Sequence, residues 1–291
     1  MDFFLYSLLN GLSLGLLLFL LASGLSLVYG LMGVLNFAHA SFYMLGAYIA
    51  YSISATIGWT ASVVVAPLLV GLIGLGFELL CLRRVYAKGH AAEMLLTFGF
   101  AYVVLEIVQL IWGKSALPAT LEPFWTSQAF AIGVFGVSYL KVLMMSVSLL
   151  IALILMLILR WSRAGLVIEA ALTHPQILST LGYNLDLIRT MVFTAGCVLA
   201  GLAGVLGGQA FVTEPSMALN MGVMGFVIIV LGGLGSVAGA FWVALAIGLL
   251  QTMVLSYSTW ASWGAALPFI LLALSLLFRA KGLMGVRSAS T

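Results

Sequence analysis

Apolar runs of about 20 residues recur along the whole chain, and the charged residues lie almost entirely between them. Such a run crosses the roughly 30 Å hydrocarbon core of a bilayer as a helix, at about 1.5 Å per residue. Composition allows little else: 64% of the residues are hydrophobic and 7% charged, where a soluble domain carries about 25% charged. Too few charges remain to cover a water-facing surface. Short period-2 segments of the barrel kind are absent, so closed helices are the structure that satisfies the backbone in lipid. The sequence therefore predicts an all-α polytopic membrane protein with about 8–9 transmembrane helices, forming one transmembrane domain over 1–291. The expected spans are 3–29, 35–57, 60–82, 93–112, 139–159, 187–212, 218–234, 237–257 and 262–279.

The first span opens "MDFFLYSLLNGLSLGLLLFLLASG", with no Lys or Arg ahead of its apolar run. A secretory signal needs a basic leading region, so this segment is expected to be a retained span. Cys81 and Cys197 both fall in apolar runs and are expected to behave as buried small hydrophobes, with no disulfide or metal framework. The net charge of +3 comes without a basic run able to track phosphates, which excludes a nucleic-acid partner.

Basic residues orient the chain. Arg83, Arg84 and Lys88 follow the third span, Arg160 and Arg163 the fifth, and Arg279, Lys281 and Arg287 the last. The positive-inside rule places these three regions in the cytoplasm. The N-terminus is then outside and the C-terminus inside. That count requires 218–257 to cross twice and turn near "GGLGSVAG". A single helix of that length would be roughly 60 Å long, about twice the core thickness.

Two loops stand out. The outer loop, about 113–138, carries Pro118, Pro123, Phe124 and Trp125. It is either an external docking surface or an interfacial loop with an aromatic anchor. The inner loop, about 160–187, is amphipathic. Thr173 is a candidate cap for a short helix with His174 and Pro175 in its first turn, Ile177, Leu178 and Leu181 on one face, and Gly182 ending it. Such a helix either meets a cytoplasmic partner or lies on lipid alone.

The apolar pattern is interrupted twice in the same way. "GLMGVLNFAHASFYMLGAYIA" and "VLGGLGSVAGAFWVALAIG" each have a pair of glycines, a small polar residue, then Gly-Ala and a new apolar helix. A broken helix frees backbone groups that are tolerated only beside protein or a water-filled path. Paired interruptions in the two halves point to a transport site, with half-helix dipoles aimed at it. The candidate substrate-path residues are therefore Asn36, Phe37, His39, Ser41, Gly232, Gly233, Gly235 and Ser236. For His39, bracing between helices and contact with the path are both open. The small residues Gly196, Ala200, Gly201, Ala203, Gly204, Gly207 and Gly208 are expected to let helices approach closely.

Several chemistries are missing. There is no Gly-x-x-x-x-Gly-Lys-Ser/Thr loop for ATP and no His-Glu-x-x-His zinc motif. No base is fixed beside Ser236 to make it a nucleophile. Glu106 is the main ionisable residue at membrane depth, with Glu78 near a cytoplasmic end. A relay of such groups is usual in ion-coupled carriers, and their scarcity argues against that class. No catalytic residue, metal or cofactor is expected.

Over nearly its whole length the chain resembles the inner-membrane permeases of branched-chain amino acid ABC importers, of the LivH type. The resemblance is carried by "LNFAHA" and "MLGAY", with Ala40 where the family has Gly. "FELLCLRRVY" adds Glu78, Arg83 and Arg84 in place without the family's Pro, and "IWG" and "GGLGSVAGAFWVALAIG" also fit. In the inner loop Gly165, Ala170, Pro175 and Gly182 match, while Glu169 stands in place of Arg, His174 in place of an acid and Ser179 in place of Ala.

The resemblance implies a single permease domain, working with a second related permease chain, two ATP-binding subunits and a periplasmic solute-binding protein. It implies docking of the ATPases on Glu169, Ala170, His174, Pro175 and Gly182, and a branched-chain amino acid as the small-molecule substrate. The same architecture importing urea, short amides or other small organic acids is the sister expectation. A stand-alone secondary carrier and a membrane scaffold are the others.

Overall fold

The computed structural model describes residues 2–119, 121–173, 175–256, 263–264, 266–278 and 282–283. His174, Arg279, Lys281 and Arg287 lie outside them.

The helices follow the expected spans. They are α1 (Asp2–Met32), α2 (His39–Ile57), α3 (Trp59–Leu80), α4 (His90–Trp112), the one-turn α5 (Pro123–Thr126), α6 (Tyr139–Trp161), α7 (Arg163–Thr173), α8 (Pro175–Thr180), α9 (Leu185–Ala210), α10 (Met217–Gly232), α11 (Val237–Ser256) and α12 (Leu267–Phe278). Seven of these are long and apolar enough to cross a membrane, and α10 and α12 are shorter apolar helices. The protein is an all-α polytopic membrane protein. The span expected at 35–57 begins later, at His39, because Gly33 turns with φ +68° and the chain through Ala38 is not helical.

α1 is apolar all round, and a helix of that kind belongs in an interior. Its most apolar stretch is 89% buried, against 17% for those of α4 and α6. Lipid supplies no hydrophobic drive between helices, so contact depends on close van der Waals fit. Glycines provide it. A Cβ at Gly24 would come within 2.7 Å of the Gly196 carbonyl oxygen, joining α1 to α9. One at Gly46 would overlap the Gly201 carbonyl oxygen, joining α2 to α9. On the opposite side of α1, Gly11 and Gly15 meet the backbone of α11 around Gly248.

Cys197 is buried and Cys81 is exposed, so only one of the two expected buried cysteines is buried. Two polar clusters lie at the two ends of the bundle. At one end the loop after α4 forms α5 and an antiparallel hairpin, β1 (Gln128–Ile132) and β2 (Phe135–Ser138), which the sequence did not reveal. Trp125 is anchored there: its Nε1 donates to Thr60 Oγ1 at 3.1 Å and its ring lies edge-on to Trp59 at 5.5 Å. Tyr6 stacks on Phe135 at 4.9 Å, and Lys141 donates to Asn10.

At the other end Glu78 is fully buried beneath α9. Its Oε1 accepts from the Tyr86 hydroxyl at 3.1 Å and lies 3.7 Å from Arg83 Nε. Its Oε2 is 2.8 Å from the Thr190 hydroxyl, which accepts from Arg83 at 2.7 Å. The carboxylate is thus paired as a buried charge must be. This cluster joins the end of α3 to the first turns of α9, directly after the α7–α8 loop.

That loop departs from expectation. It holds two helices, and Thr173 is the last residue of α7. α8 begins at Pro175, the favoured position for proline. Gly182, at φ +86°, ends it: Gly182 N–H donates to Ser179 and Tyr183 N–H to Leu178, at 3.1 and 3.2 Å, a Schellman pairing. The expected single apolar face is split. Leu178 is 4% exposed, while Ile177 and Leu181 are 57% and 69% exposed. A helix of six residues cannot present a continuous stripe, and Leu178 alone turns inward.

Candidate functional site

Between α1, α2, α4 and α10 lies a cavity of about 580 Å³, within the range of small-molecule sites. Its walls are mostly apolar: Leu21 and Leu25 from α1, Phe98, Tyr102 and Leu105 from α4, Leu219 and Phe226 from α10. Asn36, Phe37, His39 and Ser41 complete it. The first interruption therefore supplies the polar part of the lining.

Its geometry follows from the break. His39 Nε2 lies 3.1 Å from the Leu21 carbonyl oxygen. Leu21 is roughly 16 Å back along α1 from Met32. The chain therefore leaves α1, turns at Gly33 and climbs back into the apolar layer before α2 starts. Six extended residues span about 20 Å, which is enough. Irregular backbone at this depth is tolerated because protein surrounds it.

Two side chains brace the climb. Asn36 is 6% exposed and His39 is 2% exposed. Asn36 Oδ1 accepts from Ala38 N–H at 3.0 Å, which fixes its amide orientation and leaves Nδ2 with no protein partner. A carbonyl can only accept, so His39 Nε2 carries the ring proton toward Leu21. Nδ1 is then a lone-pair acceptor, also without a partner. Gly24 makes room for the ring: a Cβ there would stand 3.0 Å from His39 Cε1. Phe37 is half exposed and meets Phe98 edge-on at 6.2 Å.

Two helices begin at this cavity. α2 starts after Ala38 with no side-chain cap. α10 starts after Ser216, whose hydroxyl is engaged by Glu214 and does not cap the helix. The second turn of α10 meets the first turn of α2, since a Cβ at Gly222 would stand 2.7 Å from the Ala40 Cβ. The sequence pairs the first interruption with the glycines near 233, whereas the helix start that meets it on the cavity wall is that of α10. No glycine pattern marks that position, and sequence periodicity gave no sign of Phe98, Tyr102, Leu219 or Phe226 as lining.

The second interruption lies elsewhere. Gly232 crosses tightly against Gly239, Gly233 and Gly235 adopt φ of +103° and +81°, and Ser236 Oγ accepts from Gly239 N–H at 3.0 Å, capping α11. A Cβ on Gly235 would stand 3.2 Å from the Gly30 Cα, so this turn packs on the last turns of α1. In the α7–α8 region Glu169 is exposed and Ala170 half-buried on α7, Pro175 opens α8 and Gly182 closes it.

The family model for the permease component of branched-chain amino acid transport systems matches residues 7–276. The chain belongs to this permease family. The high-affinity branched-chain amino acid transport system permease protein LivH of Escherichia coli K12 is 29% identical, covering 97% of this chain and 96% of its own length. The corresponding BraD protein of Pseudomonas aeruginosa is 28% identical over the same shares of the two chains. LivM, a second permease protein of Escherichia coli K12, is 25% identical over 94% of this chain and 68% of its own length. No solved structure gives a significant match. Membership gives the bundle its context: the cavity, the re-entrant start of α2 and the α7–α8 helices belong to a transport permease.

Proposed function

We propose that this chain is a membrane-spanning permease subunit of an ABC importer for branched-chain amino acids in the inner membrane. The observation that carries the reading is the apolar cavity at a re-entrant helix start, in a chain whose family is the permease component of such systems. Apolar walls of this size accept an aliphatic side chain, and the few polar groups sit at one end, as a solute with one polar end requires.

The proposal includes a second, related permease chain. Escherichia coli carries both LivH and LivM, and both are similar to this chain. Glu106 gives a physical reason for a partner. It is exposed on the α4 face one turn from Tyr102, and a carboxylate on an open helix face in lipid is costly. A second permease over α4 and α10 would cover Glu106 and close the cavity, whose rim residues Phe37, Tyr102 and Leu219 are exposed.

The positive-inside rule supports the orientation. Among the described residues Arg83, Arg84, Lys88, Arg160, Arg163 and Arg189 sit at the α7–α8 end, and Lys114 and Lys141 at the hairpin end. The N-terminus and hairpin then face the periplasmic binding protein. The α7–α8 helices, with Glu169, Ala170, His174, Pro175 and Gly182, face two ATP-binding subunits. Their motion reaches α9 and α3 through the Glu78–Arg83–Thr190 cluster, and the turn at Gly233–Ser236 moves with the end of α1. The test is ATP hydrolysis by the assembled complex, measured with binding protein loaded with leucine, isoleucine or valine. Stimulation by these and not by urea or acetamide supports the reading. Stimulation by urea or acetamide alone replaces the solute assignment.

A further inference from the structure

We infer that Asn36 and His39 form a donor–acceptor pair that recognises the two charged ends of an α-amino acid, with the apolar cavity holding its side chain. This rests on the transport reading above and specifies the contacts behind it. Both side chains line the cavity, both are nine-tenths buried or more, and each keeps one nitrogen without a protein partner. The two nitrogens have opposite character. Asn36 Nδ2 donates, because Oδ1 is committed to Ala38 N–H. His39 Nδ1 accepts, because Nε2 donates to Leu21. A solute carboxylate matches the first and a solute ammonium the second.

The helix starts reinforce this polarity. α2 begins beside Asn36 without a side-chain cap and has no acidic residue in its first turn. Its free N-terminal dipole favours a carboxylate there. The start of α10 already has Glu214 close by, bonded to Ser216. The carboxylate therefore goes to the α2 side. Phe98, Tyr102 and Leu219 then face the aliphatic part.

Both free nitrogens are closed to water in this arrangement. A buried polar atom without a partner is unfavourable, so an arrangement that pairs them with solute gains relative to this one. The segment 33–38, non-helical and hinged at Gly33, is what has to move.

The test uses the assembled complex, with a single Cys at Leu219 in a Cys81→Ser, Cys197→Ala background. The rate of maleimide modification is followed while L-leucine, 4-methylpentanoate (no ammonium) or 3-methylbutylamine (no carboxylate) is titrated in. L-leucine is expected to protect at concentrations at least about tenfold lower than either analogue, the loss expected for one charged hydrogen bond. Asn36→Asp retains the acceptor for Ala38 N–H, and His39→Lys retains a donor for Leu21 while carrying no acceptor, so each keeps the local hydrogen bond and removes only the group assigned to the solute. Asn36→Asp should weaken protection by L-leucine at least about tenfold and leave 3-methylbutylamine unaffected or improved. His39→Lys should weaken protection by L-leucine and leave 4-methylpentanoate unchanged or improved. Equal protection by all three compounds, or wild-type protection by L-leucine in both variants, overturns the inference. If leucine-loaded binding protein fails to stimulate hydrolysis by the wild-type complex, the transport reading falls, whichever way the labelling turns out.

Discussion

Replacing Gly46 by Ala places one methyl group where α2 meets α9. The added Cβ would overlap the Gly201 carbonyl oxygen and stand 2.7 Å from its Cα. Carbon atoms pack best at about 3.5–4.0 Å, so the helices must part by roughly 1 Å. Neighbouring contacts on the same seam, Gly204 against the Tyr43 backbone and Gly208 against Ala47, open with them. Overpacking of this kind costs about 1–3 kcal/mol. Alanine recovers about 0.5–1 kcal/mol of helix preference over glycine, leaving a net loss of up to about 2.5 kcal/mol. Gly76 in α3 is the internal control, since a Cβ there meets nothing within 4 Å. Gly76→Ala keeps the helix gain without the clash, a stabilisation of about 0.5–1 kcal/mol. At about 2–4 °C per kcal/mol for a chain of this size, the Tm of the detergent-solubilised protein should fall by up to about 10 °C for Gly46→Ala and rise by about 1–4 °C for Gly76→Ala. Fluorescence-detected size exclusion after heating reads both. Shifts of the same sign would refute the claim that glycine at position 46 serves close helix approach.

Gly235→Leu combines a side chain at φ +81° with a contact 3.2 Å from Gly30. It should abolish solute uptake even where the variant is expressed and purified intact. Ile177→Cys, exposed on α8, in a background lacking Cys81 and Cys197, should react with an impermeant maleimide from the cytoplasmic side. Reaction from the periplasmic side reverses the orientation. Glu169→Arg should weaken docking of the cognate ATPase by about fivefold, near the ~1 kcal/mol ceiling of an exposed ion pair, while membrane insertion stays normal. Unchanged co-purification and unchanged hydrolysis remove Glu169 from the docking surface.

Most of the bundle was legible in the sequence, because helix length in a membrane is set by bilayer thickness. The spans at 139–159 and 237–257 are matched by α6 and α11 with small changes at their ends. What escaped depends on which helices touch. The glycines near 233 look like the counterpart of the first interruption, yet they cap a turn against Gly30, and α10 supplies the second helix start at the cavity. Periodicity reports an apolar face without naming what it meets, so Phe98 and Tyr102 on α4 carried no signal. The hairpin at 128–138 escaped because its strands are short and bulged between Gln128 and Phe130. Asn36 and His39 were legible as polar residues in an apolar run, but their opposite hydrogen-bonding characters needed the Ala38 and Leu21 partners.

The most direct test of the central claim is uptake by a reconstituted importer. This chain, its permease partner, the two ATPase subunits and the solute-binding protein are placed in proteoliposomes with ATP on the ATPase side, and entry of radiolabelled L-leucine is followed. The account predicts accumulation against a gradient that requires ATP, the binding protein and this chain together. Accumulation that persists without the ATPase subunits, or a complete complex that hydrolyses ATP yet moves no branched-chain amino acid, would contradict it.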